Sequence, residues 1–244
     1  MLEILNLSKS YAKGTVRAVD NLSVSVKNGE IFGFIGPNGA GKTTTIKSIA
    51  GILPIESGQI VINGADVSAS PIRAKSDLGY VPDNHEVYDR LTGTEYLNFI
   101  GDVYGVPSDV RAERMSRYLE MFEIDKAAGE QIRSFSHGMK QKLVITGALL
   151  HNPPLWLLDE PMVGLDPRSS MLLKQEMRAH CAQGNTVFFS THVLEVAEKL
   201  CDRIGIIMKG KLIAVGTLDE LRSGESGESL EQIFFELTES AEGA

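Results

Sequence analysis

An α/β fold, a parallel-sheet core interrupted by a helical insert, is the architecture this sequence predicts. Three observations point there. Strand-like segments dominate up to residue 81, the pattern turns helical from about residue 88 to 150, and strands then alternate with helices from 155 to 208. In chain order, strand-like runs cover residues 2–7, 22–26, 30–35, 58–62 and 78–81. Turn chemistry separates them, notably Lys27-Asn28-Gly29 and Asn63-Gly64. A helix-like stretch spans residues 42–53. Within the insert Thr94, Ser108 and Ser136 are N-cap candidates. Residues 155–158 then read as an apolar strand, a helix starts at Pro167, 186–190 is a strand, a helix follows from Val193, and 204–208 is the last strand. Residues 223–228 read as a flexible polar link. Beyond it Leu230, Ile233, Phe234 and Leu237 share one helical face, opened by a capping box of Ser229 and Gln232. Such a stripe is expected to pack on the core. The boundaries expected are a core of residues 1–87 with 151–222, a helical subdomain of 88–150, and a linker with C-terminal helix over 223–244.

Composition narrows the function. The 43% apolar and 23% charged content suits a globular domain carrying an inserted subdomain. No apolar run reaches the roughly 18 residues that span a bilayer, and the N-terminus lacks a basic-then-apolar leader, so a cytoplasmic site of action is expected. Cys181 and Cys201 fit neither metal nor disulfide spacing and read as buried free thiols. Net charge is −8, and six glutamates follow Arg222 with no further basic residue. That balance argues against a nucleic-acid partner and offers no polybasic lipid anchor. Work at a membrane would require a protein partner.

The sharpest signal is Gly36-Pro37-Asn38-Gly39-Ala40-Gly41-Lys42-Thr43-Thr44, set between a strand and a helix. This is the phosphate-loop pattern in the context that gives it meaning. Gly36, Gly39 and Gly41 let the backbone fold around an anion, and the helix behind points its positive end at the same place. Lys42 can reach β- and γ-phosphates, and the Thr43 hydroxyl can ligate Mg²⁺. The sequence predicts binding of a nucleoside triphosphate. A second apolar strand ends in Asp159 and Glu160, placed for a metal ligand and a general base that orients water. The plainer alternative is a turn begun by two acids and Pro161. His192, at another strand end on the same sheet edge, could meet the γ-phosphate or could cap a helix.

Taken together, these residues resemble the nucleotide-binding subunit of an ABC transporter, over nearly the whole chain and in the family's order. Tyr11 resembles its adenine-stacking aromatic, and residues 36–44 its Walker A loop. Phe135-Ser136-His137-Gly138-Met139, followed by Lys140-Gln141-Lys142, resembles the signature motif. Residues 155–160 resemble Walker B, Gly164-Leu165-Asp166 the D-loop, and Ser190-Thr191-His192 the switch-histidine segment. The resemblance implies a P-loop NTPase core with a mixed sheet, an N-terminal antiparallel β subdomain and an inserted α-helical subdomain. It also implies ATP and Mg²⁺ as cofactors, with Glu160, His192 and Lys42 catalytic and Thr43, Asp83 and Asp159 around the metal. Ser136, His137, Gly138, Met139 and Asp166 would serve a nucleotide bound by a second copy, in a homodimer or heterodimer. An integral membrane permease would be the other partner, holding the chain at the inner face of the cell membrane.

Two departures stand out. Asp83 occupies the place of the family's Q-loop glutamine, one methylene shorter. His137 replaces a usual glycine and Met139 a usual glutamine; His137 would either donate to phosphate or point into solvent. The segment 81–93 and the ending 230–238 resemble type-2 exporter-like ATPases, whose permease helix docks near residues 83–104, with Tyr88, Tyr96, Phe99 and Tyr104 as candidate lining. A non-transport ABC ATPase acting on ribosomes or nucleic acid, and a nucleotide sensor without turnover, are the alternative readings.

Overall fold

The computed structural model describes residues 1–11, 14–84, 87–222 and 228–242. The expected link at 223–228 lies, apart from Glu228, outside them. Strands β1 (Leu2–Tyr11), β2 (Val16–Val26), β4 (Ser57–Ile62) and β5 (Ala65–Asp66) form an antiparallel sheet in the order β2-β1-β4-β5. A second sheet holds β3 (Ile31–Ile35), β6 (Leu78–Val81), β7 (Leu155–Asp159), β8 (Thr186–Thr191), β9 (Arg203–Met208) and β10 (Lys211–Gly216). Its order is β10-β9-β3-β8-β7-β6, parallel except for β10. The mixed sheet and the antiparallel N-terminal sheet match the expected fold. Asn63 and Gly64, at φ 48 and 78, turn β4 into β5, and Lys209 and Gly210, at φ 47 and 82, turn β9 into β10. Two consecutive positive φ values make the tight turn that suits strand twist. A lysine in the first position hid the second turn, and with it β10, from sequence reading.

Helices are α1 (Lys42–Ile49), α2 (Pro71–Ser76), α3 (Gly93–Val103), α4 (Ser108–Met121), α5 (His137–Leu149), α6 (Pro167–Ala182), α7 (Leu194–Leu200), α8 (Leu218–Leu221) and α9 (Leu230–Glu242). Three expectations need correction. The helix expected over 42–53 stops at Ile49, because Gly51 takes φ 63 and the Ile52 and Leu53 N–H groups turn back to the Lys47 carbonyl. Thr94 is not a cap. Thr92 caps α3 in a reciprocal box with Glu95, while the Thr94 hydroxyl donates to Ala128 O. Ser108 is the first residue of α4, preceded by Pro107 at the cap. Ser136 does cap α5, accepting the Met139 N–H.

The core follows from period-two alternation on fully buried strands. Trp156, Leu158, Val187 and Phe189 face one way, into a cluster with Leu97, Phe122, Leu143 and Leu173 of the helices. Leu155, Leu157 and Phe188 face the other way, with Phe32, Phe34, Ile46 and the antiparallel sheet's Leu2, Ile4 and Ile60. Insert and sheet thus share one core, which fixes where α5 begins relative to the strand ends. On the flank Leu230 of α9 is buried with Ile35, Ala197 and Ile206, and Phe234 and Leu237 pack against them; Ile233 is buried as well. The Ser229–Gln232 box is present, at 2.9 and 3.3 Å.

His180 is buried and stacked on Trp156 at 3.9 Å between ring centroids. Burial pushes its pKa down from 6.5 to about 4, so the folded protein holds it neutral where the unfolded chain would protonate it. Between those pH values only the unfolded state takes up the proton. This contribution is therefore complete above pH 6.5 and is lost progressively as pH falls to about 4. The melting temperature should fall through that window, by an amount on the order of a few kcal/mol in stability. His180→Phe should flatten the fall, and an unchanged slope would refute the assignment.

Candidate functional site

The loop between β3 and α1 is held by close backbone approach. Gly36 and Gly41 leave no room for a side chain: an added Cβ would lie 2.3 Å from the Ile207 carbonyl and 2.4 Å from the Ala18 carbonyl. Gly41 sits at the α1 N-cap with φ 112 and provides no side-chain cap. The first N–H groups of α1 are consequently available to an anion. Lys42 is buried, and its Nζ donates to Gly36 O at 2.7 Å and Pro37 O at 3.3 Å. The ammonium therefore arches back over its own loop. Ala40 is buried too, its carbonyl accepting the Gly210 N–H, so it braces the loop rather than facing the opening.

A cavity of about 350 Å³ opens in front of the loop. Pro37, Asn38, Gly39, Gly41, Lys42, Thr43 and Thr44 of the loop and helix start line it, together with Tyr11, Asp83 and Glu160. Tyr11 Oη lies 3.3 Å from Thr44 Oγ1, which anchors the exposed ring at the rim. Ala18 also lines the cavity; nothing in the sequence marks it, since it contributes only a short side chain on β2.

Behind this opening the two acids differ. Asp159 is fully buried. Burial raises its carboxyl above the usual range, the Ser190 and Thr43 hydroxyls oppose that, and the charges of Asp83 and Glu160 add to it. Its Oδ1 accepts from Ser190 Oγ at 2.5 Å, whereas its buried Oδ2 has no well-aligned partner. An orphaned buried carboxylate oxygen beside a threonine hydroxyl is a fitting ligand set for a hard cation. Among the described residues no group of three or more His, Cys, Asp or Glu could hold a metal alone. A cation here would share its shell with phosphate oxygens and water. Glu160 takes φ 49, rare for a residue with a side chain. Its carboxylate stands 3.7 Å from Lys42 Nζ and 3.0 Å from His192 Nδ1.

The signature residues lie elsewhere. Ser136, His137, Gly138, Met139 and Asp166 are not among the residues lining the cavity. They cluster where α5 begins, against the loop 160–166. A Cβ on Gly138 would come 2.8 Å from Gly164 O, and a Cβ on Gly164 would come 2.8 Å from the His137 ring. Gln141 Nε2 donates to Pro161 O at 2.9 Å, and Lys142 Nζ is 2.7 Å from Asp166 Oδ2. Lys142 holds the Asp166 carboxyl well below the usual carboxylate range, helped by the Ser169 N–H and hydroxyl at the start of α6. Gln141 and Lys142 had no assigned part in the sequence reading, because their partners lie about twenty residues on.

A second cavity, of about 670 Å³, lies beside the insert. Its apolar lining includes Ile72, Val103, Tyr104 and Val106, with Lys75 and Arg114 at its edge. Tyr104 stacks on His151 at 3.7 Å, and exposed Tyr88 meets Phe99 edge-on at 5.8 Å. Tyr96 is buried in the core and is not among the residues lining this cavity.

A family model described as ABC transporter matches residues 19–163. Over 233 residues the chain is 40% identical to the linearmycin resistance ATP-binding protein LnrL of Bacillus subtilis (strain 168), covering 96% of this chain and 74% of that protein. The chain belongs to the ABC transporter family. A solved structure titled as the ATP binding subunit of an ABC transporter superposes with TM-score 0.93 at 36% identity, covering 98% of this chain and 99% of that one. A dimeric post-hydrolysis state of the ATP-binding cassette MJ0796 with ADP and Pi matches with TM-score 0.81 at 25% identity, over 89% of this chain and 99% of that one. This ABC subunit binds and hydrolyses ATP. ABC ATPase domains work as dimers with membrane permease partners. Among the described residues no helix is long and apolar enough to cross a membrane.

Proposed function

We propose that this subunit dimerises around two ATP molecules and drives a separate export permease. The observation that carries the reading is the separation of the two half-sites. The phosphate loop, Tyr11 and Glu160 share one cavity, while the N-terminus of α5, capped by Ser136, stands outside it. A helix start suited to an anion, standing apart from the cavity of its own phosphate loop, fits a nucleotide held by another copy. In this arrangement Ser136, His137, Gly138 and Met139 close over the partner's γ-phosphate, and Asp166 lies at the same interface. One complete motif set permits two equivalent sites in a homodimer.

Within each cavity Lys42 would leave the Gly36 and Pro37 carbonyls for phosphate oxygens, and Tyr11 would stack on the base. Glu160 orients and deprotonates the attacking water, and His192 steadies the Glu160 carboxylate and the γ-phosphate. Thr43, Asp159 and Asp83 would hold Mg²⁺, which when bound neutralises charge on the phosphates. Hydrolysis then removes the contacts that held the two copies together, and they part.

The groove between α2, α3 and the start of α4 is the proposed seat for the permease. Its apolar floor, with Lys75 and Arg114 beside it, suits a short amphipathic helix bearing a carboxylate. That contact would place the subunit at the cytoplasmic face of the membrane. Export as the direction is supported by the similarity to a resistance protein. The expected boundaries, a core of 1–87 with 151–222 and a helical subdomain of 88–150, describe the unit that would rock during the cycle. Val103, 62% exposed in the groove, provides the test. Val103→Asp should keep basal ATP hydrolysis within about twofold, yet lose roughly tenfold or more in binding an integral membrane partner in mild detergent, a loss of about 1.4 kcal/mol or more. Unchanged partner recovery would move the docking surface elsewhere, and recovery of ribosomes or nucleic acid instead would overturn the transport reading.

A further inference from the structure

Ser190 lies opposite Asp159 in the register of β7 and β8, and it is fully buried. Its Oγ donates to Asp159 Oδ1 at 2.5 Å and accepts the Glu160 N–H at 3.0 Å. A single hydroxyl therefore grips two consecutive acids that have different work to do. With Oδ1 occupied, Oδ2 is the one Asp159 oxygen left without a well-aligned partner. The Glu160 backbone, at φ 49, is in a conformation that costs about 1–2 kcal/mol for a residue with a Cβ. The hydrogen bond from its N–H is positioned to hold it there.

We propose that Ser190 is the positioning residue for both acids. By engaging Oδ1 it leaves Oδ2 as the oxygen that would serve a divalent cation, and by accepting the Glu160 N–H it directs the Glu160 carboxylate to its place between Lys42 and His192. Removing the hydroxyl frees the Asp159 carboxylate to rotate and leaves the part-buried Glu160 N–H without its partner, so both acids lose their aim together. Thr191 and His192 follow directly, so the same strand end that supplies His192 also sets the two groups it works with. The inference rests on the proposed roles of Asp159 at the metal and Glu160 at the water.

The test compares the wild type with Ser190→Ala, Ser190→Thr and Asp159→Asn. Three quantities are read: fluorescent-ATP affinity without divalent metal, Mn²⁺ affinity by electron paramagnetic resonance with a non-hydrolysable ATP analogue, and kcat with KM. For Ser190→Ala, metal-free nucleotide affinity and KM should stay within about threefold. Mn²⁺ affinity and kcat should each fall about 10–100-fold, the usual effect of losing the group that orients a metal ligand. Ser190→Thr, which keeps the hydroxyl, should recover most of both. If Ser190→Ala does not fold, Ser190→Cys retains the volume with far weaker hydrogen bonding and should show the same losses. A folded Ala or Cys variant with Mn²⁺ affinity and kcat within twofold of wild type overturns the proposal. So does a folded Thr variant as impaired as Ala. Failure of Asp159→Asn to weaken Mn²⁺ binding would instead sink the underlying metal assignment, which keeps the two failures distinct.

Discussion

With Glu160 in its proposed role, replacing it by glutamine should lower steady-state ATP turnover by about 10²–10⁴-fold, the usual contribution of a positioned general base, and should leave an ATP-bound dimer. Glutamine keeps the side chain's length and its hydrogen-bonding oxygen, so the cavity, the loop and the cap at Ser136 should persist. What disappears is a carboxylate able to take a proton from water, with Oε2 3.0 Å from His192 and Oε1 3.7 Å from Lys42. Binding continues while the step that releases the dimer stops. Sedimentation with ATP and Mg²⁺ should therefore show a stable dimer for Glu160→Gln and a mostly monomeric wild type after its ATP is spent. A variant that stays monomeric at saturating ATP would overturn the two-copy mechanism. A dimer with undiminished turnover would remove Glu160 from the chemistry.

Gly41→Ala is expected to abolish tight ATP binding, and Gly39→Ala to be mild. Both glycines have positive φ, 112 and 79, so both substitutions carry the cost of a left-handed backbone, about 1–2 kcal/mol. They differ in their surroundings. Nothing lies within 4 Å of a Cβ at Gly39, whereas at Gly41 the Ala18 carbonyl would be 2.4 Å away and Ile207 Cδ1 3.2 Å. Overpacking adds about 1–3 kcal/mol, and it falls on the backbone that must present its N–H groups to phosphate. Each 1.4 kcal/mol is a factor of ten, so Gly41→Ala should lose on the order of 10²-fold or more in nucleotide affinity, and Gly39→Ala about tenfold. Equilibrium binding of a fluorescent ATP analogue, with melting curves to check folding, decides the order. Equal affinities for the two variants would show that the approach to Ala18 does not shape the loop.

The contrast between these two glycines marks the limit of sequence reading. Both were visible as phosphate-loop residues, because the motif is contiguous and each type has a local reason. That one glycine faces open space and its near neighbour abuts the carbonyl of Ala18 is a matter of how β2 crosses the loop. The same holds for Thr94. A threonine at the head of an apolar stripe was a sound cap candidate, yet the Glu95 carboxylate closes its box with Thr92 and leaves the Thr94 hydroxyl for Ala128. For His137 the sequence leaves two readings, a phosphate donor or a solvent-facing group. The residue is exposed, and its ring edge also stands beside Gly164, a neighbour that the folded loop alone supplies.

By itself the sequence determined the nucleotide chemistry, the alternation of strands and helices, and the residue types at each strand end. Those properties are local: a run of glycines, a lysine and two acids carry their chemistry within a few residues, and hydrophobic period reports which element they sit on. Only the tertiary structure decided which groups meet. It put Ser190 on Asp159 across a strand pair, Lys142 on Asp166 and Gln141 on Pro161, and it kept Ser136 out of the cavity that Lys42 serves. Strand register and the packing of the insert on the sheet are settled by burial of the whole core, a collective quantity that no short window of residues encodes.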